Sequence, residues 1–316
     1  MKQSNQSLTN PQNALSEQNL SSKAEKWMIK PLIHILDSAQ DQKIDLIQSA
    51  CITLCNMASK PHLHKHFITE PEISTFKNCL SDPIDKGHGN ELTRFMIKLV
   101  CNLTKNPEVL PALLQKGYLE ILFQLLNHER EKEIFGNVVT AIAYLSVHES
   151  AQEQIKRNNI IPKILEPLTQ IHQVDQKMII IAITSMLFNG TELQKEFIRH
   201  EGLGKLLFFL QQRDKIFYQL ACKCFSLLSE SEEILNKIIE QECLNTIIIS
   251  CLRSKDIDLE TLKEITKIFI NLILWGKLKA DIVETTCCLC DIGLMIDDLD
   301  MNILAMFCLN SLSEDE

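Results

Sequence analysis

The sequence predicts an all-α fold, a right-handed solenoid of about seven three-helix repeats. Two observations carry that prediction. One helix-patterned stretch returns at a nearly constant interval, and only 9 Gly and 9 Pro interrupt 316 residues that are 45% hydrophobic. The reference stretch is 94–106, RFMIKLVCNLTKN. With Asn102 as its anchor, Met96, Leu99 and Val100 fall six, three and two positions earlier and Leu103 one later. On a helix these offsets gather into one apolar stripe. Arg94 and Lys98, eight and four before the anchor, lie with Asn102 off that stripe.

The template fits six further anchors. Ala50, Thr53, Leu54 and Met57 surround Asn56, and Val138, Ala141, Ile142 and Leu145 surround Tyr144. Ile180, Ile183, Thr184 and Leu187 surround Met186, and Ala221, Cys224, Phe225 and Leu228 surround Leu227. Ile265, Ile268, Phe269 and Leu272 surround Asn271, and Ala305, Cys308, Leu309 and Leu312 surround Ser311. The anchors 56, 102, 144, 186, 227, 271 and 311 are 46, 42, 42, 41, 44 and 40 residues apart. A fixed period of this size, with helical patterning inside it, is the mark of a helical repeat array.

Between anchor helices the chain reads as short helix, bend, medium helix, loop. The pairs are 107–114 and 118–126 with Gly117 at the bend, then 151–157 and 160–168 with Asn159 there. They continue as 192–199 and 203–210 with Gly202, then 232–240 and 244–252 with Gln241 and Glu242. In the second repeat, 61–69 and 72–80 fill these places, with Leu63 and Phe67 facing inward. His62, His64 and His66 read there as exposed polar residues, with a metal pair at His62 and His66 as the alternative. The loop 81–90, SDPIDKGHGN, lengthens the first interval. Residues 1–24, rich in Ser, Gln and Asn, read as disordered; the solenoid is expected over 25–312 and an acidic tail over 313–316.

Composition narrows the function. A formal net charge of −9 argues against broad binding of a phosphate backbone, so no nucleic acid is expected. Six of the 12 cysteines, Cys51, Cys55, Cys101, Cys222, Cys224 and Cys308, fall on anchor helices, where cysteine serves as a small apolar residue. Cys287, Cys288 and Cys290 are the densest group, and no CxxC pair accompanies them. Apolar runs are too short to cross a bilayer, and the first twenty residues lack a signal-peptide core. A cytoplasmic protein is expected, with the nucleus, the cytoskeleton or a cilium as further locations. No phosphate loop, HExxH or GxSxG occurs, so no enzyme, metal site or cofactor is expected.

These units resemble the armadillo family over 27–312, on Gly117 and Gly202 at the bends and on the helix endings at 50–57, 96–103 and 265–272. The resemblance implies that the third helices line a concave groove for extended peptides, with anchor asparagines bonding the peptide backbone. Here Asn stands at Asn56, Asn102 and Asn271, with Tyr144, Met186 and Leu227 between them. In the importin-α subgroup a Trp stands four before the anchor. This chain has Ile52, Lys98, Thr140, Ala182, Lys223, Lys267 and Phe307 at those positions. Lysines in place of the aromatic cage would repel a basic import signal.

The expected partner-binding residues are therefore Asn56, Arg94, Lys98, Asn102, Tyr144, Met186, Lys223, Lys263, Lys267 and Asn271. Basic ends and an apolar centre suit an acidic linear motif or an amphipathic helix of a protein partner. The expected function is a non-enzymatic interaction scaffold, in the manner of a subunit of a cytoskeletal or ciliary assembly. An importin-α-like transport adaptor is the alternative.

Overall fold

At four bends between a short and a medium helix the turn is held by one residue with left-handed backbone. In the computed structural model Gly117 (φ 73°), Asn159 (φ 50°), Glu201 (φ 61°) and Glu242 (φ 54°) occupy these places. Asn tolerates that region and Gly enters it freely, whereas Glu is strained there. The third bend thus falls on Glu201, one residue before the expected Gly202. Gly202 is needed for a different reason: a Cβ on it would lie 2.4 Å from the Phe197 ring.

The structure describes residues 25–36, 44–69, 72–81, 89–128, 132–169, 173–211, 214–244, 247, 258–277, 283, 286–287, 290–291 and 293–314. The expectations for 1–24, for most of the loop at 81–90 and the helix at 244–252, for Cys288 and for the last two tail residues lie outside them. Two compact units are present, Met1–Ala141 and Ile142–Glu316.

The first unit begins with α1, residues 25–36, and α2, Ile44–Ala58. A 3-10 helix, Pro61–His66, leads to α3, Glu72–Ser81, and α4, Gly89–Thr104. Then come α5, Leu110–Gln115, opened by a proline that costs no intrahelical bond there, and α6, Tyr118–His128. Helix α4 packs on α2 and α3, and α6 on α3 and α5. Leu63, Phe67, Phe76, Leu54 and Leu99 are buried together with Tyr118, whose hydroxyl donates to the Ile73 carbonyl.

Helix α7, Lys132–Leu145, runs from the first unit into the second. The second unit continues with α8, Glu149–Arg157, α9, Ile160–Leu165, and α10, Gln173–Asn189. It goes on through α11, Thr191–Arg199, α12, Gly202–Leu210, and α13, Lys215–Ser229. The last helices are α14, Glu232–Glu240, α15, Leu259–Leu274, and α16, Leu299–Glu314. The third helices α10, α13, α15 and α16 pack in succession. No helix among the described residues is long and apolar enough to cross a membrane.

Cysteine acts as packing. Cys51, Cys55 and Cys224 are buried, and desolvation pushes their thiols up to about 12, which keeps them protonated and unreactive. His64 departs from its expected exposure. It is buried, and its Nε2 lies 2.7 Å from the Ala58 carbonyl oxygen, so it closes the C-terminus of α2.

One local cluster fixes the start of α13. Asp214 caps the helix, accepting from the Ile216 and Phe217 amides at 2.9 and 3.4 Å, and Lys177 of α10 reaches Asp214 at 2.8 Å and stands over the Phe217 ring. The Lys177 hydrogen bond, then the amides, hold the Asp214 carboxyl below its ordinary value. A folded-state pKa below the unfolded one stabilises above the unfolded value, and the gain is lost as pH falls through the folded one. We predict that Asp214→Ala costs about 1 kcal/mol near neutral pH. The melting-temperature gap to the parent should shrink once the pH drops below about 3.9. A gap that stays constant down to the acid limit would show that the ionised cap contributes nothing.

Candidate functional site

Each third helix away from the ends of the array is buried along most of its circumference. Around Asn102, the positions six, five, three, two and one before the anchor, and one and two after it, are all buried. Only the line through the anchor and four before it reaches solvent. In the first unit that line presents Asn56 and Ile52 on α2 and Lys98 on α4, all exposed, with Arg94 and Asn102 half-buried. In the second it presents Tyr144 on α7, half-buried, then Lys223 on α13 and Lys267 on α15, both exposed, with Asn271 half-buried.

Helix α10 corrects the expected register. Met186 is 0% exposed, and Ala182 is buried as well, so neither can touch a partner. The open line runs through Ile181, 53% exposed, and the half-buried Ser185. With Ser185 as anchor, every burial offset of α4 is reproduced, and the two intervals around it become 41 and 42 residues.

The asparagines are partly committed within the protein. Asn102 Nδ2 donates to the Cys55 carbonyl at 3.3 Å while its Oδ1 accepts from Lys105. Asn271 Nδ2 donates to Ser229 Oγ at 2.8 Å, and Asn189 makes the same kind of bond to Ser146 Oγ. Each ties one third helix to the one before it. Asn56 has no side-chain partner among the described residues. Sequence reasoning missed this ladder, although Ser two residues after the anchor, at Ser146 and Ser229, was its visible half.

The lysines differ in the same way. Lys98 and Lys223 have no ion-pair partner among the described residues, and Lys267 pairs with Glu264 at 3.0 Å. Lys263, by contrast, is only 12% exposed and sits among Asp298 at 2.9 Å, Glu260 and Asp300. The hydrogen bond to Asp298 raises its pKa. It holds the entry of α16 against α15 and is not available to a partner, contrary to expectation. Beside Asn102 a cleft of about 600 Å³ opens, lined by Ser59, His62, Lys105 and Glu108 among others.

No family model and no curated protein matches the chain. Solved structures do. An engineered protein aligns at TM-score 0.76 and 18% identity, over 90% of this chain and 68% of that one. A designed armadillo repeat protein in complex with the peptide (KR)4 aligns at TM-score 0.64 and 15% identity, over 76% of this chain and 99% of that one. A chain from work on a phosphorylation switch in the cadherin–β-catenin interaction aligns at TM-score 0.67 and 14% identity, over 90% of this chain and 52% of that one. The fold is an all-α solenoid of armadillo type.

The corrected register predicts opposite outcomes at adjacent residues. Met186→Asp buries an unpaired carboxylate and should cost several kcal/mol, whereas Ser185→Asp should change stability by less than about 0.5 kcal/mol. Urea denaturation of both variants decides between the two. Equal losses would return the anchor to Met186.

Proposed function

We propose that the protein is a non-enzymatic interaction scaffold that takes an acidic, partly apolar segment of a protein partner on its third-helix faces. The observation that supports this reading most strongly is the composition of the open line. On α10, α13 and α15 it offers Ile181, Lys223 and Lys267, flanked by Ser185 and Asn271. Apolar and cationic groups side by side complement a segment that alternates carboxylates with apolar residues. Asn56 in the first unit, and Asn271 Oδ1 in the second, remain able to bond a peptide backbone.

The designed relative was solved with the basic peptide (KR)4. A basic ligand of that kind suits either unit poorly, because Lys98 in the first and Lys223 in the second, each without an ion-pair partner among the described residues, stand on the open line. For the same reason the transport-adaptor alternative is the weaker one. A place in a cytoskeletal or ciliary assembly remains part of the proposal as the setting for such a scaffold.

The test uses two synthetic probes, a peptide alternating Glu with Leu and Phe, and a peptide alternating Lys with Arg. In fluorescence anisotropy the acidic probe should bind, more weakly as salt rises. Lys223→Glu with Lys267→Glu should weaken it about tenfold or more. Lys163→Glu with Lys205→Glu, on α9 and α12, should leave it within about twofold. Preference of the parent protein for the basic probe, or equal loss in both double variants, would refute the proposal.

A further inference from the structure

The hydrogen bonds between third helices reveal which flank of each helix meets which neighbour. Thr184, one before its anchor on α10, lies 3.1 Å from Cys224 Sγ, three before the anchor on α13. In the first unit Cys55, one before its anchor on α2, donates to the Phe95 carbonyl at 3.0 Å, seven before the anchor on α4. So the flank one and five before the anchor faces the following repeat, and the flank three and seven before it faces the preceding one.

Both flanks are closed in the middle of the chain and open at its first and last third helices. Five before the anchor, Cys51, Ile97, Val139, Ile180, Cys222 and Thr266 are at most 1% exposed; on α16 the same position is Met306, 50% exposed. Leu299 and Ile303, with Met295 before them, extend this apolar stripe along α16 at helical spacing, and all three are exposed. Three before the anchor, Leu99, Ala141, Ala182, Cys224, Ile268 and Cys308 are buried, but Thr53 on α2 is half-exposed and continues into exposed Ser49 and Leu46. The neighbouring α1 adds Trp27, 78% exposed, between exposed Lys26 and Lys30.

The charges at the two places are opposite. Residues 280–316 hold nine carboxylate side chains and no Lys, Arg or His, which accounts for the whole formal charge of −9. Asp297 and Asp300, both exposed, border the apolar stripe of α16. At α1, Lys26, Lys30 and His34 are exposed.

We infer that these two faces are the halves of one interface, so that a second copy of this chain docks its α1–α2 face on the α16 face of the first. The contact continues the stacking that already joins α10, α13, α15 and α16, and its charges attract across the junction. Because the two faces differ, the contact is heterologous and does not close on itself; it propagates into open chains. High salt weakens it.

Sedimentation velocity over the micromolar range tests this. The parent protein should show a mass that grows with concentration and falls with salt. One variant carries Lys26→Glu, Trp27→Ser and Lys30→Glu, and another carries Ile303→Lys and Met306→Lys. Each alone should be monomeric, while their equimolar mixture should form a heterodimer and stop there, since only one compatible junction remains. Because all five side chains are exposed, melting curves should match the parent. Should either variant fail to fold, Lys26→Glu with Lys30→Glu, mixed with Asp297→Lys, provides an independent charge-swap test: each alone should associate less than the parent, and the mixture, in which both junctions are again complementary, should regain open chains. A parent protein that stays monomeric overturns the inference. So does a dimer of the α1-face variant alone, which would mean pairing of two α16 faces, or a mixture that remains monomeric.

Discussion

Every third helix away from the ends of the array has to be buried on two flanks at once, and this requirement shapes both the fold and the surface it displays. A repeat of this size cannot bury its apolar surface alone, so stability comes from stacking on its neighbours. At roughly 25 cal/mol per Å² of apolar surface removed from water, each doubly covered helix contributes more than any hydrogen bond along it. On the flank facing the next repeat, the position one before the anchor holds the small Cys55, Cys101, Ala143, Thr184 and Ser226, with the larger Ile270 on α15. Thr184 is accommodated because its hydroxyl donates back to the Ile180 carbonyl. What remains open is one line per helix.

The asparagines on and beside that line serve the stacking itself. Nδ2 of Asn102, Asn189 and Asn271 reaches back to the preceding third helix, pairing a half-buried amide that would otherwise cost free energy. The same groups therefore hold adjacent repeats in register. Lys263 is a parallel case, since its charge is spent on Asp298. The groups that the stacking does not use are Lys98, Lys223, Ile181 and the amide of Asn56.

Much of this was legible in the sequence, for a physical reason. The burial offsets recur at each third helix away from the ends of the array, so weak patterns reinforce one another, and they hold in full around Asn102, Tyr144, Leu227 and Asn271. The expected register failed on α10, where IIIAITSMLF is apolar on nearly every side. Shifting the template by one residue there still filled the buried offsets with apolar side chains, and only Ser185 distinguished the two registers. Glu201 escaped notice because Gly202 beside it looked like the bend, although that glycine answers to the Phe197 ring. The partners of Lys263 and the burial of His64 depend on which loop folds back over which helix end, and the repeat pattern does not encode that.

The open line also separates what folding requires from what it permits. Four before the anchor, Ile52, Lys98, Ile181 and Lys223 occupy equivalent places on helices that pack alike, so stacking does not demand an apolar group there. Three after the anchor, Phe188 is 75% exposed where the next repeat has Glu230. Single exposed apolar residues are common on protein surfaces. On α10, however, Ile181 and Phe188 lie seven residues apart, two turns along one face, next to a helix whose open line carries an unpaired lysine. An apolar strip bordered by cations is a surface whose complement is specific in both hydropathy and charge, and the packing of the repeats does nothing to satisfy it.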